Sequence, residues 1–446
     1  MKQSMAFTNE SRRRLWLTAF MWLIFLAPFF FLTYGQVNQL TAQREAVGVV
    51  VFGWEQNIPF WPWSIIPYWS IDLFYGVSLF ICTSYREQWL HGWRLVAASL
   101  IACAGFLLFP LKFSFSRPAT EGIFRWFFDQ LDMFDLPYNQ APSLHIILLW
   151  LLWLRYSAHL HGYWRGLLHI WSALIAFSVL TTWQHHFVDV ITGFAVGVMI
   201  SYLLPISHRW HWQPSQDCYA RKLAGYYAAA GMLFMLPAAG FGGVLWILIW
   251  PAISLMMLSL GYAGLGCSIF QKQSNGRMSL SARWVLAPYQ FGAWLSYLWF
   301  RRKSAPYNQI EEGIILGSLP HQSVIKSAQI TSIFDMTAEW HKHAYHPVNY
   351  ISQPQLDLLP LTPDALQSAV CTLDDLHKKG RVLIHCTLGL SRSAMVVAAW
   401  LLKRHPEYDV DAVIDILRQA RPHVTFRQAH MDALGQWAEY YLNRKT

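Results

Sequence analysis

Eight stretches of this chain, near residues 15–33, 65–83, 94–110, 143–158, 165–183, 187–204, 224–240 and 243–265, are apolar over close to the roughly 20 residues that cross a bilayer as a helix. No other feature restricts the fold as strongly. Backbone amides surrounded by hydrocarbon must find their partners within the segment, and a helix provides them. Composition agrees with a mixed chain: 54% hydrophobic and 13% charged over 446 residues is too apolar for a soluble protein, yet leaves enough charge for one soluble domain. The first run follows "SRRR" and ends at "LTYGQ" with no small-residue cleavage site, so it reads as an anchor and not as a removed signal peptide.

Positive charge then orients the runs. Arg12, Arg13 and Arg14 precede the first; Arg86 and Arg94 follow the second, Arg155 and Arg165 the fourth, Arg209, Arg221 and Lys222 the sixth, and Lys272, Arg277 and Arg283 the eighth. These are alternate loops, so all can be cytoplasmic at once, which supports an even count with both termini cytoplasmic. The net charge of +9 is spent on this pattern. No RNA- or DNA-binding motif accompanies it, so no nucleic-acid partner is expected. The short tails and the lack of organelle signals suggest a bacterial inner membrane. Six cysteines (82, 103, 218, 267, 371, 386) lack CxxC spacing and two fall inside apolar runs, so neither a disulfide framework nor a zinc site is indicated. Cys386 is then a free thiol in a reducing compartment.

Residues 1–266 thus form an α-helical polytopic membrane domain of about eight transmembrane helices. Residues 267–305 read as a basic and aromatic linker, in which "WVLAPYQFGAWLSYLWF" (284–300) suits an interfacial helix better than a ninth span, because Pro288 and several Trp and Tyr lie along it and basic residues flank both ends. A ninth span would move everything after it to the oxidising side. From 306 the composition becomes that of a soluble domain, about 140 residues long, enough for one core. In it "GIILG" (313–317), "ITSIFDM" (330–336) and "RVLIH" (381–385) read as buried strands, and 362–379, 393–405 and 409–420 as amphipathic helices. Alternation of the two indicates an α/β sheet.

The stretch "VLIHCTLGLSRSA" (382–394) is then a strand, a loop from Cys386 to Arg392 and a helix start. Backbone amides of Thr387, Leu388, Gly389, Leu390 and Ser391 in such a loop converge on an anion, aided by the helix dipole. The same field stabilises a thiolate, so Cys386 should titrate well below the ~8.5 of a free cysteine. Arg392 can clamp two phosphate oxygens with its planar fork. A thiolate attack on phosphorus needs an acid for the leaving oxygen, for which Asp357 is the candidate and Asp364 the second choice, and a donor to the departing sulfur, for which Ser393 is adjacent. A lone Cys-x5-Arg is more often a buried thiol than a nucleophile; the strand before it, His385, Ser393 and the helix after it reverse that. On "HCTLGLSRS", the upstream "IILGSLP" and the "LD" before a Pro-containing turn, residues 306–430 resemble the dual-specificity branch of the cysteine-dependent protein tyrosine phosphatases. The resemblance implies an α/β phosphatase domain in the cytoplasm, with Cys386 as nucleophile, Arg392 as phosphate clamp and Asp357 as general acid. The loop interior "TLGLS" has no lysine or arginine, which speaks against multiply phosphorylated inositol lipids and for one phosphate at a time.

A second constellation lies in the membrane half. "KFSFSRP" (112–118), "APSLH" (141–145) and "HHFVD" (185–189) all fall at non-cytoplasmic ends of runs. One histidine there would ordinarily be an interfacial anchor, but three polar sets on one side suggest a site. His185 and Asp189, four apart, share a helix face, so the carboxylate can hold one imidazole tautomer for attack on phosphorus. His145 could protonate the leaving alkoxide, with Lys112, Arg117 and Ser143 binding phosphate oxygens. Nothing here requires a metal or a cofactor. Residues 105–200 resemble the type 2 phosphatidic acid phosphatase superfamily, which acts on lipid phosphates through a phosphohistidine; the resemblance implies His185 as nucleophile, Asp189 as its partner and His145 as acid. Lys112 and Arg117 have four residues between them where the family has six, Ser178-Val179 stands where it has Ser-Arg, and "PSLH" with "HHFVD" looks more like the inositolphosphorylceramide synthase branch, which transfers a head group. Hydrolysis, transfer or lost activity stay open for this half.

The leading reading is a membrane enzyme with a cysteine phosphatase and a second, histidine-based lipid phosphatase or transferase, acting on a lipid phosphate or a phosphoprotein. In the alternative only the cysteine site is active and the membrane half is a lipid-binding anchor. A transporter or scaffold with a decayed phosphatase is a third; the intact Cys386, Arg392 and Asp357 speak against it.

Overall fold

The computed structural model describes residues 12–343, 345 and 348–442, apart from the side chains of Phe134 and Lys303. The chain divides into two compact units, Met1–Ser207 and His208–Thr446. This packing boundary falls earlier than the compositional change at 266/267, because the helices and the linker after 208 pack with the sheet domain that follows them.

The first unit is helical: α1 (Arg12–Ala42), α2 (Ile65–Ser78), α3 (Tyr85–Leu108), α4 (Gly122–Phe134), α5 (Leu144–His159), α6 (Gly162–Thr181) and α7 (Phe187–Leu203). Polar caps set several starts. The Ser84 hydroxyl accepts from the Glu87 amide before α3, and Asp189 accepts from the His186 amide at 2.8 Å at the start of α7. The second unit opens with α8 (Cys218–Phe241) and α9 (Ile249–Leu260), followed by α10 (Leu280–Val285) and α11 (Ala287–Phe300). Among the described residues, five helical stretches are long and apolar enough to cross a membrane: α1, α3, α6, α8 and Gly243–Phe270, which contains α9. The other three runs are helices of 14, 16 and 17 residues (α2, α5, α7), shorter than the roughly 20 of a full span. The aromatic stretch expected at the interface is α11, 14 residues long with no buried residue.

Two arginines assigned to loops by sequence are buried inside helices. Arg94, on α3, donates to the carbonyls of Leu204 and Ser201 at 2.9 and 3.1 Å and so satisfies the open end of α7. Arg155, on α5, pairs with Glu87, which also meets His159 at 3.0 Å. Both are structural charges, so the orientation argument rests on the remaining basic residues.

The sheet domain contains β1 (Tyr307–Glu311), β2 (Ile314–Gly317), β3 (Ser332–Thr337), β4 (Asn349–Gln355) and β5 (Val382–His385) in the order β1-β2-β5-β3-β4. Among the described residues of this sheet, β1–β2 is antiparallel and the other three pairs are parallel. Both faces are buried, hence the continuous apolar runs in the sequence. Alternation divides them. Ile314, Leu316, Phe334, Met336, Val382 and Ile384 join the larger core, while Ile315, Ile333 and Leu383 face the smaller one. The larger core is closed by α13 (Pro363–His377), α14 (Arg392–Arg404), α15 (Val410–Ala420) and α16 (Gln428–Tyr441), with α12 (Gln322–Ser327) on the other face. The three expected strands and three expected helices of this domain stand within a few residues of their sequence positions. Outer strands β1 and β4, which are only partly buried and interrupted by polar residues, were not foreseen.

The expected linker is docked. Lys272 bridges Met278 in an antiparallel turn, the Ser274 carbonyl accepts from the Ser352 amide of β4 at 2.8 Å, and the Gly276 carbonyl accepts from Lys342 at 2.8 Å. Gly276 has φ +79°, and a side chain there would collide with Tyr350 and Lys342. The turn thereby covers the β4 side of the sheet, an edge that would otherwise be open to strand pairing.

Candidate active site

Parallel strands β3, β4 and β5 end on one side of the sheet, and the loops leaving them bring Glu339, Asp357 and Cys386 together, as ligand sites of open α/β sheets do. Cys386 follows β5 directly and is buried. Its sulfur accepts from the Gly389 amide at 3.2 Å. The loop carbonyls are held outward: Thr387 accepts from the Leu319 amide (3.2 Å), Leu388 from Arg421 (2.6 Å) and Leu390 from the Thr425 amide (3.0 Å). Gly389 has φ +72°, and a Cβ there would lie 2.4 Å from the Gly317 carbonyl oxygen, so both the backbone and the packing require glycine. Ser391 meets His430 Nε2 at 3.1 Å through its hydroxyl.

Arg392 is buried at the start of α14. Its Nη1 donates to Glu339 Oε2 (2.8 Å) and to the Gln355 carbonyl (3.0 Å), and its Nη2 to Glu339 Oε1 (2.8 Å) and Thr387 Oγ1 (3.2 Å). Asp357 Oδ1 stands 3.1 Å from the same Nη2, with its side chain 44% exposed. Burial alone would push the Cys386 thiol up; the Arg392 charge, then the Ser393 hydroxyl and amide, outweigh it and hold the thiol below its usual value. Burial likewise acts against the Glu339 carboxylate, yet Arg392 keeps it below the usual glutamate value. Behind the strand, Asp335 accepts from Lys272 Nζ at 2.6 Å and from the Tyr350 hydroxyl, and lies 3.9 Å from His385. Asp364, the second acid candidate, sits in the first turn of α13 and accepts from Tyr441.

The structure therefore brings Cys386, Thr387, Gly389, Arg392, Ser393 and Asp357 into one site. Sequence reasoning missed Glu339, Arg421 and Lys272. Glu339 carried the one usable signal: a carboxylate just beyond a buried strand, in "FDMTAEW".

In the first unit, His145 and His185 line one cavity of about 470 Å³ whose walls include Phe30, Tyr68, Asp72 and Asp135. The His145 ring stacks on Tyr68 at 4.1 Å. His185 Nδ1 is 3.6 Å from Asp189 Oδ2, beyond hydrogen-bonding reach but within ion-pair range. His186, its neighbour, is committed to Glu55 (3.0 Å) and to Ser114. The three expected phosphate binders differ from the sequence reading. Lys112 is exposed and is not among the cavity-lining residues, Arg117 pairs with Asp132 over the Phe128 ring, and Ser143 is buried as the cap of α5, accepting from the Ile146 amide. Arg117 and Ser143 are drawn to nearer partners. Among the described residues no group of three His, Cys, Asp or Glu side chains is placed to hold a metal.

Residues 314–440 match the family model described as "Dual specificity phosphatase, catalytic domain", which assigns this domain to the phosphoric monoester hydrolases. Over 113 residues the chain is 32% identical to Dual specificity protein phosphatase 2 of Mus musculus, covering 24% of this chain and 35% of that protein. Over 93 residues it is 32% identical to Dual specificity protein phosphatase 18 of Mus musculus, covering 20% of this chain and 48% of that protein. The chain thus spans a third to a half of these curated relatives. Among solved structures, "Crystal Structure of PTPMT1 in complex with PI(5)P" covers 32% of this chain and all of its own, at 19% identity and a TM-score of 0.29.

Proposed function

We propose that this chain is a membrane-bound phosphatase that cleaves single phosphomonoesters through a phosphocysteine at Cys386. The observation that carries this reading is the convergence of three groups: a buried thiol accepting from a loop amide, Arg392 in the same loop, and Asp357 3.1 Å from that arginine. The Cys386 thiolate attacks phosphorus, the ester oxygen leaves with a proton from Asp357, and a phosphocysteine remains. Water then attacks phosphorus and gives its proton to the Asp357 carboxylate. The S–P bond breaks while Ser393 donates a hydrogen bond to the departing sulfur. Arg392 and the loop amides hold the equatorial oxygens. Substrates are a lipid phosphate or a membrane-associated phosphoprotein. Residues 1–266 form the membrane domain, which lies in the inner membrane of a bacterium, and 306–446 face the cytoplasm, where the thiol stays reduced. A reporter fused after Thr446 should report a cytoplasmic location.

A second site is favoured by the cavity shared by His145 and His185, with its largely aromatic and apolar lining. There His185 attacks a lipid phosphate, with Asp189 orienting it and His145 as acid, to hydrolyse or transfer the head group. The alternative keeps only the cysteine site, with this cavity as a lipid anchor. Purified full-length protein in detergent, assayed on lipid phosphates and an aryl phosphate, separates them. Cys386→Ser should abolish aryl phosphate hydrolysis and His185→Ala should lower a lipid activity. If His185→Ala changes no lipid activity while Cys386→Ser removes all of them, the histidine site is not catalytic.

A further inference from the structure

The turn that carries Asp357 is held from the membrane side of its own unit. The Tyr262 hydroxyl, in the apolar stretch Gly243–Phe270, donates to the Asp357 backbone carbonyl at 3.1 Å. Tyr262 is 2% exposed, and its ring stacks on Tyr227 of α8 at 5.4 Å and 15°. The next residue, Leu358, has φ +63°, a left-handed conformation that a leucine keeps only where its surroundings hold it. Its carbonyl accepts from Arg427, whose guanidinium lies 3.6 Å over the ring of Tyr219, in the first turn of α8. Both tyrosines come from the same end of the pair formed by α8 and the 243–270 stretch. Apart from its side-chain contact with Arg392, the acid's turn thus has two supports reaching back to that pair.

We infer that Tyr262, and Tyr219 acting through Arg427, are positioning residues for the general acid, so that the α8–α9 pair is a working part of the phosphatase and not only its anchor. The inference rests on Asp357 being the acid, as proposed above. None of these residues touches substrate. Their role is to keep the acid's backbone where its carboxyl can reach the leaving oxygen, and displacements of an ångström at such a point cost on the order of 10²-fold in rate.

The test uses the full chain in detergent and a series of aryl phosphates from p-nitrophenyl phosphate, with its good leaving group, to phenyl phosphate and an alkyl phosphate. Loss of a general acid slows poor leaving groups most. Asp357→Asn should therefore steepen the dependence of kcat on leaving-group pKa and flatten the basic limb of the pH profile. Tyr262→Phe, which removes one hydroxyl, should steepen it in the same direction, with about a tenfold loss on the alkyl ester, part of the ~10²-fold or more that an acid supplies, and a smaller loss on p-nitrophenyl phosphate. Arg427→Gln should behave alike. In the Asp357→Asn background Tyr262→Phe should add little. Equal losses by Tyr262→Phe on every leaving group, or full additivity with Asp357→Asn, would overturn the inference and leave the phosphocysteine reading intact. An unchanged slope in Asp357→Asn would remove Asp357 as the acid, and the inference with it.

Discussion

Arg392 grips both carboxylate oxygens of Glu339 at 2.8 Å each while one of its nitrogens stays 3.1 Å from Asp357. A bidentate partner fixes the plane of the guanidinium, so under the proposed mechanism a phosphate would meet a clamp with little freedom left to lose. Glu339→Gln leaves a buried guanidinium with only the partly exposed Asp357 as counter-charge and should destabilise the domain by about 3–5 kcal/mol in urea unfolding. The carboxyl is held below the ordinary glutamate value of about 4.3. Its stabilising effect is therefore complete above that value and is lost as pH falls through the lower folded value. Glu339→Gln should lack this acid-side loss.

Cys386 is held below its usual value against the opposing effect of burial. The pH dependence of iodoacetate alkylation should then show a midpoint below that of an ordinary cysteine. Ser393→Ala removes the hydroxyl that, after Arg392, helps hold the thiol low, and should move the midpoint upward. A wild-type midpoint at or above the ordinary value would contradict the field assigned to the loop.

Gly389→Ala forces a Cβ against the Gly317 carbonyl in a backbone conformation that alanine disfavours. The left-handed conformation alone costs roughly 1–2 kcal/mol. Because the Gly389 amide points at the sulfur, activity on p-nitrophenyl phosphate should fall on the order of 10²-fold, more than the loss of stability explains.

Lys272 has a fully buried side chain and its ammonium sits between Asp335 and Thr337. Lys272→Met strands the Asp335 carboxylate and should cost about 3–5 kcal/mol in urea unfolding, while adding Asp335→Asn should restore part of it. A free linker would show neither effect.

Local patterns were legible because they depend on neighbours in the chain. The alternation in β2, β3 and β5, the 3- and 4-residue spacing of α13 to α15, and the strand, loop and helix around Cys386 are short-range features, and the structure has them. The eight apolar runs were likewise visible, but their effective lengths were not. A hydropathy pattern extends into turns, whereas a helix stops where its backbone finds a cap, which leaves α2, α5 and α7 short.

The amino-acid sequence by itself determined that the chain carries membrane-length apolar helices and, after them, an α/β domain with a thiol and an arginine in the loop between a strand and a helix. Tertiary structure alone decided what meets that loop. Glu339 pairs with Arg392 across 53 residues, Lys272 with Asp335 across 63, and Tyr262 with Asp357 across 95. It also tied His186 to Glu55 and left His185 facing the cavity, a distinction that "HH" does not contain. The physical reason is range. Periodicity and capping act over a few residues, while the partner of a buried charge is set by the order in which strands enter the sheet and by the side on which their loops emerge.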